Sequence, residues 1–282
     1  MISRGAKITI IGLGLLGGSY AKGFASAGYR LAGIDIDEDA VQFARKMQWI
    51  QQGGTDPGIA EDSDIVISAM YPHVFVEWIK ANQHLLKPGS ILTDVTGIKR
   101  EVIRDINAIL RPDVEFIACH QMAGREYKGI RYADCSLFRE ANFIIVPTGK
   151  NTEKGMQTAR DIAQVLKFRN VSVLTPDEHD AMIGFVSQLT HVIAVSLMNV
   201  SDNTHLAEYT GDSFRDLTRI AKINETLWPE LFLLNKDNLV REIDDFTAEM
   251  QHFRDLIQNG DTEEMKRLLV QSTERRKCFD KK

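Results

Sequence analysis

Short apolar runs alternate with longer amphipathic stretches through the first 175 residues of this 282-residue chain. Residues 7–11, 29–35, 64–70, 90–94, 115–119, 142–147 and 170–175 are brief runs rich in β-branched residues and bounded by polar or turn residues, and they read as strands. Between them, residues 74–86 and 99–110 have a helical pattern, the first stopped by Pro88-Gly89. Strands that alternate with helices predict a mostly parallel sheet with right-handed crossovers. Beyond Pro176 the pattern is helical throughout. Asp177-Glu-His-Asp180 predicts a capped start to a long apolar helix ending near Asn199, and Pro229 predicts a further helix start. From there Leu239, Ile243, Phe246, Met250, Phe253 and Ile257 repeat with 4-3-4-3-4 spacing up to Gly260, and a last helix is predicted over 262–276. The change of pattern predicts two domains, residues 1–176 and 177–282. The apolar stripe suits an internal packing face or a subunit interface, and the expected protein partner is a second copy in a homodimer.

The first strand opens into a Gly-rich turn. Gly12, Gly14 and Gly17 have G-x-G-x-x-G spacing between that strand and a helical stretch. Gly12 would allow a tight turn, Gly14 the close approach of a pyrophosphate, and Gly17 the close packing of helix on strand. Free N–H groups at the helix start, around Leu15 and Leu16, would face the phosphates. Asp35 lies 18 residues past Gly17 at the end of the second strand, where a carboxylate can accept bonds from a ribose. Its charge would repel a 2′-phosphate and no arginine follows it directly, so the predicted cofactor is NAD rather than NADP. The expected fold class is α/β: an N-terminal Rossmann-type domain with a mostly parallel sheet, plus a C-terminal all-helical domain.

Composition narrows the picture further. The 34 Lys and Arg residues against 39 Asp and Glu give a net charge of −5 with no basic stripe, which argues against a nucleic-acid partner. The first strand begins too early for a signal peptide, and no apolar run reads as long enough to span a bilayer. Three cysteines, Cys119, Cys135 and Cys278, suit a reducing compartment better than a disulfide framework, and the expected location is the cytoplasm. No pair of ligand-type residues has zinc spacing, so no metal site is predicted.

Ligands of open α/β sheets bind beyond the carboxyl ends of the strands. Residues 94–99, residues 120–126 and the start of the helical region are predicted there. His120 directly follows a strand. A neutral imidazole in that place can take a proton from a substrate hydroxyl as hydride leaves the same carbon for a nicotinamide. Position alone suits a locally bonded loop histidine equally well. His191 lies within the long apolar helix, where a hydrogen-bonded core histidine is the ordinary alternative.

His120-Gln-Met-Ala-Gly124, followed by Glu126, Gly129 and Leu137-Phe138, is similar to the His-Pro-Met-Ala-Gly signature of the prephenate dehydrogenase family. Ser187-Gln-Leu-Thr-His191 resembles that family's Ser-His-Leu-Pro-His helix, and Phe214-Arg-Asp-Leu-Thr-Arg-Ile-Ala221 with Trp228 resembles its substrate-binding segment. With the Gly-rich loop, the resemblance spans nearly the whole chain in the right order. It implies oxidative decarboxylation of prephenate, or of its amino counterpart arogenate, in tyrosine biosynthesis. On that resemblance His120 bonds the ring hydroxyl and accepts its proton, Arg219 binds a substrate carboxylate, and His191 acts at the substrate or nicotinamide edge. Glu126 and Asp216 match positions near the cleft mouth. Arg125 could reach a substrate carboxylate or pair with an acid, and Trp228 is expected in packing. The rival reading of another class is a non-catalytic NAD-binding homologue.

The chain departs from the family pattern at four places. Gly97 stands where the family has a serine that helps the histidine hold the ring hydroxyl, and Thr96 carries a hydroxyl one residue early. Gln121 replaces a proline, and Gln188 and Thr190 replace a histidine and a proline. None of these removes the proton acceptor or the carboxylate clamp; they bear on rate and on substrate choice.

Overall fold

In the computed structural model, which describes residues 1–203 and 205–279, eight strands form one sheet. They alternate with helices as β1 (Ile8–Ile11), α1 (Leu15–Ser26), β2 (Leu31–Ile34), α2 (Glu38–Lys46), β3 (Gln52–Gly54), β4 (Ile65–Ser68), α3 (Pro72–Asn82), β5 (Ile91–Asp94), α4 (Arg100–Ile109), β6 (Glu115–Gln121), β7 (Asn142–Val146), α5 (Glu153–Val165) and β8 (Asn170–Val173). The strand order is β3-β2-β1-β4-β5-β6-β7-β8, and every neighbouring pair is parallel except β6 with β7. β3 escaped the sequence reading because Gln-Gly-Gly has no apolar alternation to mark it. One face of the sheet packs against Tyr20, Phe24, Val41 and Ile162, and the other against Phe75, Ile79, Val102 and Ile106. Cover on both faces is why β1, β4 and β5 are buried along their whole length and read as unbroken apolar runs. The winding reverses between β1 and β4, and the loops after β1, β4, β5 and β6 gather at that crevice.

α6 (Pro176–Ile183) follows the sheet. Its cap is Thr175: the Thr175 hydroxyl accepts the Glu178 N–H, and the Glu178 carboxylate accepts the Thr175 N–H at 2.8 Å. The expected cap at Asp177-Glu-His-Asp180 is corrected accordingly; Asp177 is exposed, and His179 and Asp180 turn into the interior. A π-helical turn, Gly184–Leu189, joins α6 to α7 (Thr190–Asn199). The joined stretch of 24 residues is long and apolar enough, by length and composition, to cross a membrane, which corrects the expectation that no run would be. That expectation failed because His179, Asp180, Gln188 and His191 interrupt the apolar run. These groups are hydrogen-bonded within the fold, and His179 ties the stretch to β6.

α8 (Leu206–Tyr209), α9 (Asp212–Thr218), a 3-10 turn at Arg219–Ala221 and α10 (Leu227–Leu234) come next. A single helix was expected from Pro229 onward; α10 and α11 (Lys236–Asn259) are separate. The break is Asn235, which leaves helical geometry at φ −119°, ψ 25°. Its buried amide donates to the Asp180 carbonyl at 2.9 Å and to the Gln188 side-chain oxygen at 2.7 Å. The pattern of elements becomes all-helical at Thr175, whereas the chain divides into two compact units at Asn235, so that α6 to α10 share a unit with the sheet. In the second unit Gly260, at φ +67°, turns α11 into α12 (Thr262–Lys277), which Asp261 caps. Of the α11 stripe, Leu239 is buried, Ile243 and Phe253 are half-buried, and Phe246, Met250 and Ile257 are exposed.

Candidate active site

The turn from β1 to α1 is shaped to hold phosphate. Gly12 sits at φ +89°, and a Cβ there would lie 2.7 Å from the Ala69 carbonyl oxygen. A Cβ on Gly17 would lie 1.8 Å from the Gly12 carbonyl oxygen, so only glycine lets α1 approach β1 this closely. Gly14 faces open space. No side chain caps α1 and no acid sits in its first turn, which leaves the N–H groups of Leu15, Leu16 and Gly17 facing outward. The Asp35 carboxylate, just beyond β2, accepts the Leu13 N–H at 2.5 Å and the Asp37 N–H at 2.8 Å, and is thereby fixed beside the turn. These donors and this acceptor are what the pyrophosphate and ribose of a dinucleotide require.

His120 lies near the end of β6. Its Nδ1 is 2.9 Å from His179 Nε2, and His179 Nδ1 is 2.7 Å from Asp180 Oδ1. His179 and Asp180 are fully buried. The Asp180 carboxylate also accepts the N–H groups of Lys99 and Arg100, each at 2.9 Å, so its charge meets the positive end of α4. A Cβ on Gly97 would stand 4.0 Å from His120 Nε2, which turns that nitrogen toward the bend after β5. Burial holds the His120 ring well below its usual pKa, helped by His179 and by the Lys99 ammonium. Burial also lowers His179, against the opposing hydrogen bond to Asp180. Both rings are therefore neutral at pH 7, and His120 is able to accept a proton. Cys119, next to it, is no competing nucleophile, because burial pushes its thiol up to about 12.

Thr96, Gln121 and Gln188, at or beside departures from the family pattern, each have hydrogen-bond partners in the structure. Lys99, fully buried, pairs with Asp94 at 2.6 Å and donates to the Thr96 hydroxyl at 3.0 Å, and that hydroxyl also lies against Asp94. Thr96 is committed to this buried pair and does not replace the serine at His120. Gln121 is buried: it accepts the Tyr20 hydroxyl of α1 at 3.2 Å and donates to the Val95 carbonyl at 3.2 Å. Gln188 donates to the Leu231 carbonyl at 2.8 Å and so fixes α10 against the π-turn. α10 is also held over the first turn of α3, where Glu230 accepts the His73 N–H at 2.6 Å and bonds its ring at 2.8 Å.

A second cluster flanks the first. The His191 ring stacks on Trp228 with centroids 3.8 Å apart, and its Nδ1–H donates to the Ser187 carbonyl at 2.8 Å. Burial lowers the His191 pKa, and Glu126 and Arg219 are close enough to act on it with opposite signs. Arg219 and Glu126 form an ion pair at the surface. Leu231, one turn along α10 from Trp228, lies against Gly97 and so links this cluster to His120. The structure does not gather every predicted residue here. Arg125 pairs with Asp134 at 3.1 Å, beside Lys22 of α1. Asp216 is exposed on α9 and has no ion pair among the described residues.

Residues 21–175 match the family model of the prephenate dehydrogenase nucleotide-binding domain, and residues 175–271 match that of the prephenate dehydrogenase dimerization domain. The chain belongs to the prephenate dehydrogenase family. A prephenate dehydrogenase of Bacillus subtilis (strain 168) is 28% identical over 269 residues, covering 92% of this chain and 72% of the relative. One of Lactococcus lactis subsp. cremoris is 29% identical over 285 residues, covering 97% and 77%. A prephenate dehydrogenase from A. aeolicus, in complex with hydroxyphenyl propionate and NAD+, has a TM-score of 0.89 at 28% identity, with 98% of each chain covered.

The motifs that tie this sequence to the prephenate dehydrogenases pass over His179 and Asp180, which look like cap residues when read from the sequence. The available signal was an imidazole and a carboxylate side by side in the first turns of an otherwise apolar helix.

Proposed function

We propose that this member of the prephenate dehydrogenase family is an NAD-dependent oxidoreductase that converts prephenate to 4-hydroxyphenylpyruvate and CO2. The observation that carries the reading is the His120 ring, held neutral, engaged at Nδ1 and turned at Nε2 toward Gly97. The likeness to the A. aeolicus enzyme with its NAD+ and aromatic ligand supports it. Gly12, Gly14, Leu15, Leu16 and Gly17 hold the pyrophosphate and Asp35 the adenosine ribose. The dinucleotide, when bound, supplies the hydride acceptor. His120 takes the proton of the ring hydroxyl on Nε2 as the carbon bearing that hydroxyl gives up hydride. The bond from the ring to its carboxylate then breaks; CO2 leaves, the electron pair makes the ring aromatic, and the phenolate oxygen takes the proton back from His120. Aromatisation supplies the driving force.

Arg219 binds a carboxylate of the dianionic substrate through two parallel bonds, with Glu126 holding the guanidinium in place. His191, set by the Ser187 carbonyl and Trp228, offers Nε2 to the substrate or nicotinamide edge. Asp216 and Arg125 serve at the rim. Residues 1–176 are the cofactor domain and residues 177–282 the substrate and partner domain of a cytoplasmic homodimer, a reading that the dimerization-domain match and the half-exposed α11 stripe support.

The test is NADH formation by the purified chain with NAD and either prephenate or arogenate. Turnover of prephenate is expected. Turnover of arogenate alone would move the specificity to the amino acid. If NAD bound and neither substrate gave NADH, the chain would be a nucleotide-binding homologue without this activity.

A further inference from the structure

The contacts from His120 through His179 to Asp180 have a direction that follows from donor rules alone. A carboxylate only accepts, so Asp180 Oδ1 takes the Lys99 N–H and the proton on His179 Nδ1. A neutral His179 with its proton on Nδ1 has a bare Nε2. His120 Nδ1 must then be the donor across the 2.9 Å contact between the rings. A neutral His120 protonated on Nδ1 has a bare Nε2, the nitrogen that faces Gly97. The reverse order would set a bare His179 Nδ1 against a carboxylate oxygen 2.7 Å away.

We infer that His179 and Asp180 are a positioning pair that keeps His120 in its Nδ1–H tautomer, the neutral form able to take a proton through Nε2. The inference rests on the reading of His120 as the proton acceptor. Two observations strengthen it. Asp180 cannot turn away, because both its oxygens are held by N–H groups at the start of α4. His179 is also the only side chain hydrogen-bonded to the His120 ring among the described residues, since Gly97 offers no hydroxyl at Nε2. The other charged groups nearby, Lys99 and Asp94, are occupied with each other at 2.6 Å. As His120 gains a proton on Nε2, its Nδ1–H becomes a stronger donor, and the gain passes through His179 to the Asp180 carboxylate.

Two substitutions at position 179 separate positioning from packing, and both leave Asp180 to cap α4. His179→Phe keeps a ring but removes the acceptor. His179→Gln keeps the order of the contacts, because the Asp180 carboxylate draws the amide N–H to its side and leaves the amide oxygen to accept from His120; the two amide atoms are spaced much like the two ring nitrogens. His179→Phe should lower kcat by roughly ten- to thousandfold, approaching the loss for a histidine held in the wrong tautomer, with KM for prephenate and NAD affinity nearly unchanged. His179→Gln should recover most of kcat. Nitrogen-15 NMR of the histidine rings, with the His120 signals assigned by their loss in His120→Asn, reads the tautomer directly and needs no substrate. The wild-type protein should show a protonated Nδ1 and a bare Nε2 on His120. A protonated Nε2 in the wild type, a folded His179→Phe with kcat within about threefold of normal, or a His179→Gln as damaged as His179→Phe would each overturn the inference. If prephenate were not a substrate, the tautomer measurement would still decide it.

Discussion

Replacing Gly97 by serine should raise activity. Gly97 does not use the left-handed region, so a serine fits its backbone without strain. The added Cβ would meet Leu231 Cδ1 at 3.5 Å and Cδ2 at 3.8 Å, which are ordinary contacts. It would stand 4.0 Å from His120 Nε2, and the serine oxygen extends one bond further, into hydrogen-bond distance of a hydroxyl held at that nitrogen. Folding should be unharmed; the loss of backbone freedom in the unfolded chain favours the variant by about 0.4–1 kcal/mol. A neutral hydrogen bond contributes a net of about 0.5–1.5 kcal/mol, which corresponds to roughly two- to tenfold in kcat/KM. The assay is the initial rate of NADH formation over a range of prephenate concentrations near neutral pH, beside a thermal unfolding curve. If the serine variant folded normally and its kcat/KM fell by about tenfold or more, the reasoning would fail. The hydroxyl would then be donating to Nε2 itself and closing off the lone pair that the substrate proton needs.

Four further outcomes are expected. His120→Asn should lower kcat by about 10²–10⁴ with little change in NAD binding; because burial, His179 and Lys99 keep the ring neutral, the acid limb of wild-type kcat/KM should lie below the usual histidine pKa of about 6.5, and a limb above it would contradict the assignment. Arg219→Ala should raise KM for prephenate more than it lowers kcat; the side chain is 65% exposed, so the loss should fall between that of a rim pair and that of a desolvated one, roughly three- to thirtyfold, with Arg219→Lys recovering only part. NAD should be preferred over NADP in kcat/KM, and Asp35→Ser should narrow the gap; a preference for NADP would show that Asp35 does not meet the ribose. Light scattering should find a dimer at micromolar concentration, and a monomer would leave the exposed Met250 and Ile257 as ordinary surface.

Much of the fold was legible because its signals are local. The Gly-rich turn announced itself through three glycines, and in the structure one takes a positive φ, one faces open space and one has no room for a Cβ. The buried strands were legible because cover on both faces leaves unbroken apolar runs. What escaped depends on contacts between distant parts of the chain. Nothing near Asn235 predicts a helix break, since the side chain that breaks it bonds residues 47 and 55 positions away. His179 and Asp180 look like cap residues until β6 and α4 are brought beside them. Arg125 and Arg219 could not be told apart by type; one pairs with Asp134 and the other with Glu126. Thr96 looked able to stand in for a missing serine, and only the buried Lys99–Asp94 pair shows where its hydroxyl is spent.

The hydrogen bond between Tyr20 and Gln121 has a mechanical consequence. Tyr20 belongs to the helix whose first turn is the proposed phosphate cradle, and Gln121 is the residue after His120. Both are buried, and Gln121 is held in turn by the backbone beyond β5. The proposed cofactor cradle and the proposed proton acceptor are therefore tied together through buried side chains. On the proposed reading, that tie sets the spacing between the end of the dinucleotide that receives hydride and the nitrogen that receives the proton, without a contact from the exposed surface.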